Sequence, residues 1–346
     1  MEIRDITRVS LFIGQNNGGK TSAMEGAEIL IAGKPSALMR SPTRRADGFE
    51  LEEGSRPNSS IGVRHLFHGH GLSIGSVFEL SGEGIDNQNV RCAIAEGQGA
   101  TEVPSSPSIE DIGAAIAPPL RLTIDVTTSS GGQGWAFQMT NGGRVSIGDL
   151  ALRFPDESKH VPVNFVGTTD PEYGLQTLWD RVVLTPREAQ VVDALRIIEP
   201  RIERVAALSR VGNVTGGIVL KTADSEVRVP LGTMGDGIKR LFVLSTNLVS
   251  AAGGYLLVDE IDAGLHHSAM VKMWRLVVAT AQRLNVQVLA STHSLDCLRA
   301  LAFACEQVPQ QRSEVSVHRI ARGAKASTRY GAEEIRIAIE QDMEIR

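Results

Sequence analysis

The chain of 346 residues is poor in aromatic residues, which make up 4% of it, and it contains only three cysteines. Cys92, Cys297 and Cys305 lack the spacing of a metal site, and so few cysteines are typical of a reducing compartment. No apolar run approaches the roughly 18 residues that span a bilayer, and the sequence begins without a signal-peptide layout. We therefore expect a cytoplasmic protein with no membrane attachment.

A basic excess is also missing, because 40 acidic residues outnumber 35 lysines and arginines and leave a formal net charge of −5. This balance argues against a protein that coats nucleic acid with its whole surface. A local DNA-binding patch would have to use Arg40, Arg44 and Arg45. We interpret the polar stretch 40–60 as a solvated surface loop, so DNA binding is possible but not evident.

The octet GQNNGGKT at positions 14–21 fits the Walker A pattern G-x-x-x-x-G-K-[ST]. It follows a strand-like run, Val9–Ile13, and opens a helix-like segment, Ser22–Leu30, which is the context that this motif needs. Lys20 is expected to reach the β- and γ-phosphates of ATP, and the Thr21 hydroxyl to ligate Mg²⁺. A glycine-rich turn that only caps a helix is the alternative. The predicted nucleotide-binding residues of this loop are Asn16, Asn17, Gly18, Gly19, Lys20, Thr21 and Ser22.

The apolar run 255–258 ends in two carboxylates, Asp259 and Glu260. A P-loop ATPase needs such residues on the strand next to its phosphate loop, where Asp259 would hold Mg²⁺. Glu260 would polarise the water that attacks the γ-phosphate. The alternative is a buried strand that ends at a solvated acidic turn.

A second short strand, Gln287–Ser291, is followed by Thr292 and His293. A histidine at the carboxyl tip of a strand in such a sheet would lie near the γ-phosphate and could donate a hydrogen bond to it. A helix-capping segment with an incidental histidine is the alternative.

The glycine-rich segment 232–241 lies shortly before the acidic strand and opens a helix. It predicts a second anion-binding helix N-terminus, although Gly235 and Gly237 could equally form a plain turn.

The order of elements predicts an α/β fold of P-loop NTPase type. We expect a phosphate-loop segment at 1–60 and an antiparallel β-subdomain with an insertion at 61–155. A helical and hairpin segment is expected at 156–231, and alternating helices and strands at 232–346.

Together, these motifs resemble those of ABC-type ATPases of the SMC/RecF/OLD group. The resemblance lies in segments 14–22, 231–241, 258–267 and 292–297, which look most similar to stand-alone, OLD-related, RecF-like bacterial ATPases. It implies a head in which helices flank a central, mainly parallel sheet, with an antiparallel β-subdomain. Two such heads would sandwich two ATP molecules, so it also implies a homodimer or higher homo-oligomer.

The same resemblance assigns roles to individual residues. Gly235, Asp236 and Gly237 would form the signature that contacts ATP held by the other subunit. Residues 262–267 would form the D-loop, and His293 would be the switch histidine. The sequence departs from transporters, whose Leu-Ser-Gly-Gly-Gln signature it lacks, and no nuclease-like segment follows His293. The candidate for a Q-loop is Arg64–His68.

The resulting hypothesis is an ATP-hydrolysing switch in which ATP closes a head-to-head dimer and hydrolysis opens it. The cycle would control a DNA-processing or phage-defence effector, a nuclease or toxin from a neighbouring gene. The alternative is a non-catalytic scaffold that binds ATP stably, assembles and holds a toxic partner protein.

Overall fold

The computed structural model describes residues 1–38, 40–44, 60–84, 87–97, 119–140, 143–146, 161–168, 174–208 and 217–341. The chain forms two compact units, which are considered separately. Unit 1 comprises Met1–Met24 and Val161–Arg346, and unit 2 comprises Glu25–His160. Within the described ranges, no helix is long and apolar enough to cross a membrane.

The described residues form fifteen strands, which range from two to nine residues in length. In chain order they are β1 (Val9–Ile13), β2 (Ser60–Gly62), β3 (Val77–Ser81), β4 (Asn89–Glu96), β5 (Leu120–Thr128), β6 (Gly131–Gln138), β7 (Arg144–Ser146), β8 (Val163–Val166), β9 (Ile202–Leu208), β10 (Gly217–Thr222), β11 (Val229–Pro230), β12 (Tyr255–Val258), β13 (Gln287–Ser291), β14 (Val315–Arg319) and β15 (Thr328–Gly331).

Among the described residues, most helices lie in the second half of the sequence. The helices are α1 (Lys20–Ala32), α2 (Pro35–Leu38), α3 (Arg40–Arg44), α4 (Leu175–Asp180), α5 (Glu188–Leu195), α6 (Asp236–Ser250), α7 (His267–Arg283), α8 (Leu295–Gln307) and α9 (Ala332–Glu340).

Unit 1 is built on a six-stranded sheet with the order β15-β14-β1-β13-β12-β8. All neighbours are parallel except the edge pair β14 and β15. All five residues of β1 are buried, as expected for an apolar strand in a parallel sheet that is covered on both faces. The predicted α/β class, with a mainly parallel central sheet, flanking helices and separate antiparallel sheets, is confirmed.

The helices of unit 1 supply the rest of its core. Trp274 of α7 is fully buried, and its indole N–H donates to the Cys297 carbonyl of α8 over 3.0 Å. Residues on one face of α6, such as Leu241 and Leu244, are fully buried in the same cluster as Leu256 and Val288 of the sheet. Burying this apolar surface is the main force that positions the ends of the strands.

Unit 2 holds a four-stranded antiparallel sheet, β3-β4-β5-β6, and the short pair of β2 with β7. Its core contains Ile94, Leu122, Ile124 and Phe137, each at most 2% exposed. The structure groups residues 25–44 with this sheet, whereas the sequence predicted one segment over 1–60. The Q-loop candidate forms two 3₁₀ turns, Arg64–Leu66 and His68–His70, and its role stays a prediction.

One expectation about the central sheet is wrong. The acidic strand β12 was expected beside the phosphate-loop strand β1, but β13 lies between them and pairs with both. Ser291 is the partner of Phe12 in the β1 ladder, and Ala290 is the partner of Val258 in the β12 ladder. The interposed strand therefore brings its own last residues to the edge where β1 and β12 end.

The stretch 40–60 is also not a loop throughout, because Arg40–Arg44 forms α3. Arg44 and Arg40 bind the carboxylate of Glu28, whose side chain is 2% exposed, at 2.5 and 3.3 Å. These arginines neutralise a buried acid, which explains them without DNA. Arg45 lies outside the described residues, as do residues 141–142 of a hairpin turn that the sequence predicts at 141–143. Most of the Gly-, Ser- and Pro-rich stretch 83–119, which the sequence predicts to be the insertion, also lies outside them.

Two turn predictions need smaller corrections. The Ser- and Gly-rich run 129–134 predicts a hairpin turn, but its glycines belong to β6, so the turn is only Ser129–Ser130. The order Thr185, Pro186 and Glu188 predicts a capping box with Pro186 at the first helical position, but helix α5 begins at Glu188. The expected capping contacts exist in altered form: Arg187 N–H donates to the Thr185 hydroxyl, and Leu184 N–H donates to the Glu188 carboxylate over 2.8 Å.

Candidate functional site

The phosphate loop follows β1 and ends at the first residue of α1. Gly14 has a φ of 147°, and a Cβ at this position would collide with the Ile320 carbonyl oxygen. Gly19 has a φ of 97°, with open space where a Cβ would point. Both positions require glycine for their backbone conformation. Asn16 and Asn17 are exposed, Gly18 is half-buried, and Ser22 is exposed on the first turn of α1.

Lys20 is folded back into this loop. Its side chain is 7% exposed, and its Nζ donates to the carbonyl oxygens of Gly14 and Gln15 at 2.8 and 3.0 Å. Burial lowers the pKa of Lys20, and the charges of Asp259 and Glu260 oppose that shift. The ammonium group is therefore held among carbonyls, near two carboxylates.

Asp259 joins three strand ends through hydroxyl groups. Its Oδ2 accepts from the Thr21 hydroxyl over 2.9 Å, and its Oδ1 accepts from the Ser291 hydroxyl. The Ser291 Oγ in turn accepts from the Glu260 N–H over 2.9 Å. Since β1, β12 and β13 run parallel, their carboxyl ends meet at one edge, and the predicted Thr21 and Asp259 lie in contact there.

Glu260 and His293 form a pair at the same edge. The Nδ1 of His293 lies 3.2 Å from Oε1 of Glu260. The His293 side chain is 50% exposed and that of Glu260 36%, so both are open to a ligand or to water. Glu260 has a φ of 46°, a left-handed conformation that non-glycine residues rarely adopt.

The predicted signature lies at the start of α6. Gly235 has a φ of 91° and is exposed, as is Asp236, while a Cβ at Gly237 would lie 3.2 Å from the Gly264 carbonyl oxygen. The loop thus contacts the predicted D-loop, 262–267. Among the described residues, no hydrogen bond joins Gly235–Gly237 to the phosphate loop, so the structure does not bring these two predicted elements together within one chain.

The predicted D-loop is tied to the strand that carries His293. Asp262 accepts from the Thr292 hydroxyl over 2.6 Å, and the same Thr292 oxygen accepts from the Ser294 N–H. His266 caps α7, its Nδ1 accepting from Ser268 N–H.

Sequence reasoning missed three residues that organise this edge: Ser291, Thr292 and Arg240. Ser291 and Thr292 directly precede His293, and hydroxyl residues at a strand end beside an acidic strand are a usable signal. Arg240 gives no such signal, because a basic residue on a helix usually faces solvent. It is 7% exposed and donates to the carbonyls of Asp259 and Glu260.

The donor set of this edge fits a magnesium-bound nucleotide. A hydroxyl and a carboxylate, from Thr21 and Asp259, are hard oxygen ligands of the kind Mg²⁺ prefers. The described residues contain no group of three or more His, Cys, Asp or Glu side chains that could hold a metal ion.

Comparisons with known proteins come from sequence and from structure. Residues 148–298, less than half of the chain, match the family described as "AAA domain, putative AbiEii toxin, Type IV TA system". This segment includes Asp259, Glu260 and His293 but not the phosphate loop. No curated protein matches the chain significantly.

Among solved structures, an SMC head bound to the C-terminal winged-helix domain of ScpA is 13% identical, with a TM-score of 0.44, and the match covers 94% of this chain and 90% of that one. The SMC head domain from Thermotoga maritima is 12% identical, with a TM-score of 0.38 and the same coverage. The ABC transporter component cbiO1 from Clostridium perfringens is 17% identical, with a TM-score of 0.32, covering 52% of this chain and 61% of that one.

These TM-scores are too low for the likenesses to support a function. The sequence match stands by itself, and AAA and ABC ATPases bind ATP and typically Mg²⁺. The resemblance of this chain to stand-alone ABC-type, SMC-like AAA ATPases, read from its motifs, is confirmed.

Proposed function

We propose that this chain binds ATP with Mg²⁺ at the joint carboxyl edge of β1, β12 and β13 and hydrolyses it. The observation that carries the proposal is the contact of Thr21 with Asp259 at 2.9 Å, beside the pair of Glu260 and His293 at 3.2 Å. Residues from distant parts of the sequence converge there in the types and order that phosphoryl transfer to water requires.

The side chains of this edge divide the steps of the mechanism among them. Lys20 exchanges its carbonyl partners for the β- and γ-phosphate oxygens, because a charge-assisted bond to phosphate is the stronger one. Thr21 and Asp259 would hold Mg²⁺, which would neutralise charge on the phosphates. Glu260 accepts a proton from the attacking water. His293 orients the Glu260 carboxylate and is exposed enough to donate to the γ-phosphate.

Steady-state turnover and equilibrium binding of Mg·ATP test the proposal in wild type and Glu260→Gln. The amide keeps the shape of the side chain but cannot take the proton, so kcat should fall about 10²-fold or more while Mg·ATP affinity stays within about threefold. Glu333→Gln, which changes an exposed glutamate of α9, is the matched control. Equal turnover of wild type and Glu260→Gln would reject the mechanism. Negligible turnover of the wild type with intact binding would instead favour the ATP-bound scaffold.

The head-to-head dimer is the second part of the proposal, and it rests on the resemblance together with the exposed signature loop. Because Gly235 and Asp236 face open space in one chain, their proposed ligand is ATP held by another copy. Light scattering should find Glu260→Gln more associated with Mg·ATP than with ADP or no nucleotide. Asp236→Arg should remove that difference, whereas Asp180→Arg, the same charge change at the exposed end of α4, should not.

We also propose that the chain acts together with a separate effector protein. The matching family is described as a putative toxin of a type IV toxin–antitoxin system, which agrees with a role beside a second protein in defence. Purification of the native complex in the presence of Mg·ATP, with Lys20→Ala as the control that cannot load nucleotide, tests for such a partner. Recovery of the same protein with both forms would separate the partner from the ATP cycle.

A further inference from the structure

Arg240 lies on the second turn of α6 and is buried although it is charged. Its Nη1 donates to the Gly167 carbonyl oxygen over 2.6 Å. Its Nη2 donates to the carbonyl oxygens of Asp259 and Glu260 over 2.7 and 2.8 Å. One guanidinium group therefore binds the ends of both β8 and β12.

A buried guanidinium is energetically costly unless its donors form hydrogen bonds, and here both Nη atoms donate to main-chain oxygens. The flat fork of arginine has fixed donor directions, so it can hold several carbonyls in one arrangement, which a lysine cannot do. The peptide units that it binds flank Glu260, whose φ of 46° is intrinsically unfavourable. Arg240 thus stabilises the backbone conformation that aims the Glu260 carboxylate.

A second contact lies at the start of the same helix. The backbone of Gly237 approaches that of Gly264 so closely that a Cβ on Gly237 would lie 3.2 Å from the Gly264 carbonyl oxygen. A Cβ on Gly264, which has a φ of 73°, would in turn lie 3.2 Å from the Cβ of Asp236. Helix α6 therefore contacts the segment 259–264 at two places, at its first turn by packing and at its second turn through Arg240.

We propose that Arg240 is a positioning residue that makes the placement of Glu260 depend on the position of helix α6. Whatever binds the exposed loop at Gly235 and Asp236 then acts on the carboxylate through this helix, because Arg240 is only about one and a half turns away. The inference rests on the proposed function in one respect, the role of Glu260 as the base. The link between α6 and the backbone of 259–260 is a separate physical claim.

The test compares Arg240→Met, Arg240→Lys and the control Arg196→Met in the full chain. Arg196 also donates to a carbonyl oxygen of unit 1, that of Ile202 over 2.8 Å, but it has no contact with the site. Arg240→Met should lower kcat at least 10-fold and leave KM and Mg·ATP affinity within about threefold. Arg240→Lys should be more thermally stable than Arg240→Met, because it keeps the positive charge. Its kcat should stay reduced, because lysine lacks the planar guanidinium group that holds several carbonyls at once.

Hydrogen exchange in the nucleotide-free protein gives a readout that needs no activity. Amides of 259–262 should exchange at least 10-fold faster in Arg240→Lys than in wild type, with no change in Arg196→Met. A folded Arg240→Lys with wild-type kcat and wild-type exchange would overturn the inference, and so would uniformly faster exchange across unit 1. If Glu260→Gln turns over like wild type, the proposed mechanism fails, and the exchange result still decides whether Arg240 holds this turn.

Discussion

Glu28 in unit 2 and Asp259 in unit 1 are carboxylates held in opposite ways. Glu28 is paired with two guanidinium groups, from Arg40 and Arg44. Asp259 accepts from two neutral hydroxyls, those of Thr21 and Ser291. Among the described residues, no lysine or arginine forms an ion pair with Asp259. The charge of Glu28 is neutralised by its arginines, so we expect this residue to stabilise the fold. The charge of Asp259 has no such partner in the described part of the chain, so we expect this residue to be able to bind a cation.

Asp259→Asn should give the largest effect. The amide keeps an oxygen for one hydroxyl but loses the charge, so Mg²⁺-dependent turnover should fall about 100-fold or more, because metal stabilisation of phosphoryl transfer is worth several kcal/mol. Turnover measured over a range of Mg²⁺ concentrations, with Asp180→Asn as control, checks this. Retention of a normal Mg²⁺ response in Asp259→Asn would mean that the hydroxyl-held carboxylate is structural after all.

Glu28→Gln should act on stability instead. It leaves the partly exposed Arg40 and Arg44 without their counter-charge, so the free energy of unfolding should fall by about 2 kcal/mol, below the range for fully buried pairs. Urea unfolding followed by circular dichroism measures it. A variant as stable as wild type would show that the arginines find other partners without loss.

His318 extends the comparison to a buried group held by hydroxyls. It is fully buried on β14, its Nε2 lies 2.9 Å from the Ser316 Oγ, and burial lowers its pKa to about 4. Above pH 6.5 it is neutral in both states. Between pH 6.5 and about 4 only the unfolded chain takes up the proton, so the free energy of unfolding should fall by about 2 kcal/mol over that window.

Urea unfolding at a series of pH values, in wild type and His318→Gln, checks this dependence. The glutamine variant has no titrating group at position 318, so the difference in unfolding free energy between the two proteins should shrink or change sign as the pH falls. A constant difference from pH 7 to 4 would show that the histidine is protonated in the folded state as well.

The smallest effect is expected for an exposed pair in unit 2. Arg91 and Glu79 lie across β4 and β3 at 3.0 Å, but both side chains are at least half exposed. Arg91→Ala should change the free energy of unfolding by less than about 0.5 kcal/mol, because water competes for both charges. A loss as large as that of Glu28→Gln would mean that burial does not separate the two kinds of pair.

Local patterns predicted the strands and loops of the site well. The strand 287–291 has the bounds that its apolar pattern indicates, because a buried parallel strand leaves a clear sequence signal. The helix after the phosphate loop was predicted over 22–30 and is two residues longer at each end, Lys20–Ala32. The position of β13 between β1 and β12 was not predicted, since strand order depends on packing that no local pattern encodes. The short strands β8, β9 and β15 were missed for a related reason, because their residues are only partly buried and alternate weakly.

For the site, the motif residues could be predicted from the sequence, but the residues that hold them in position could not. Thr21 and Asp259 are named by spacing alone, and the structure places them in contact. Arg240 could be found only in three dimensions, because its partners are carbonyl oxygens, which every residue carries. Glu28 illustrates the same limit, since nothing in the sequence indicates that Arg40 and Arg44 turn inward.

The position of β1 in the central sheet has a consequence for folding during synthesis. Val9 pairs with Val288 on one side and with Val315 on the other, so both partner strands of β1 are synthesised long after β1 itself. Until then, β1, with four apolar residues among its five, exposes two unpaired edges, which favours aggregation. Contacts so distant in sequence are also slow to form. We therefore expect a nascent chain halted before Val288 to hold no ATP, and the phosphate loop to become functional only after β13 and β14 have been synthesised.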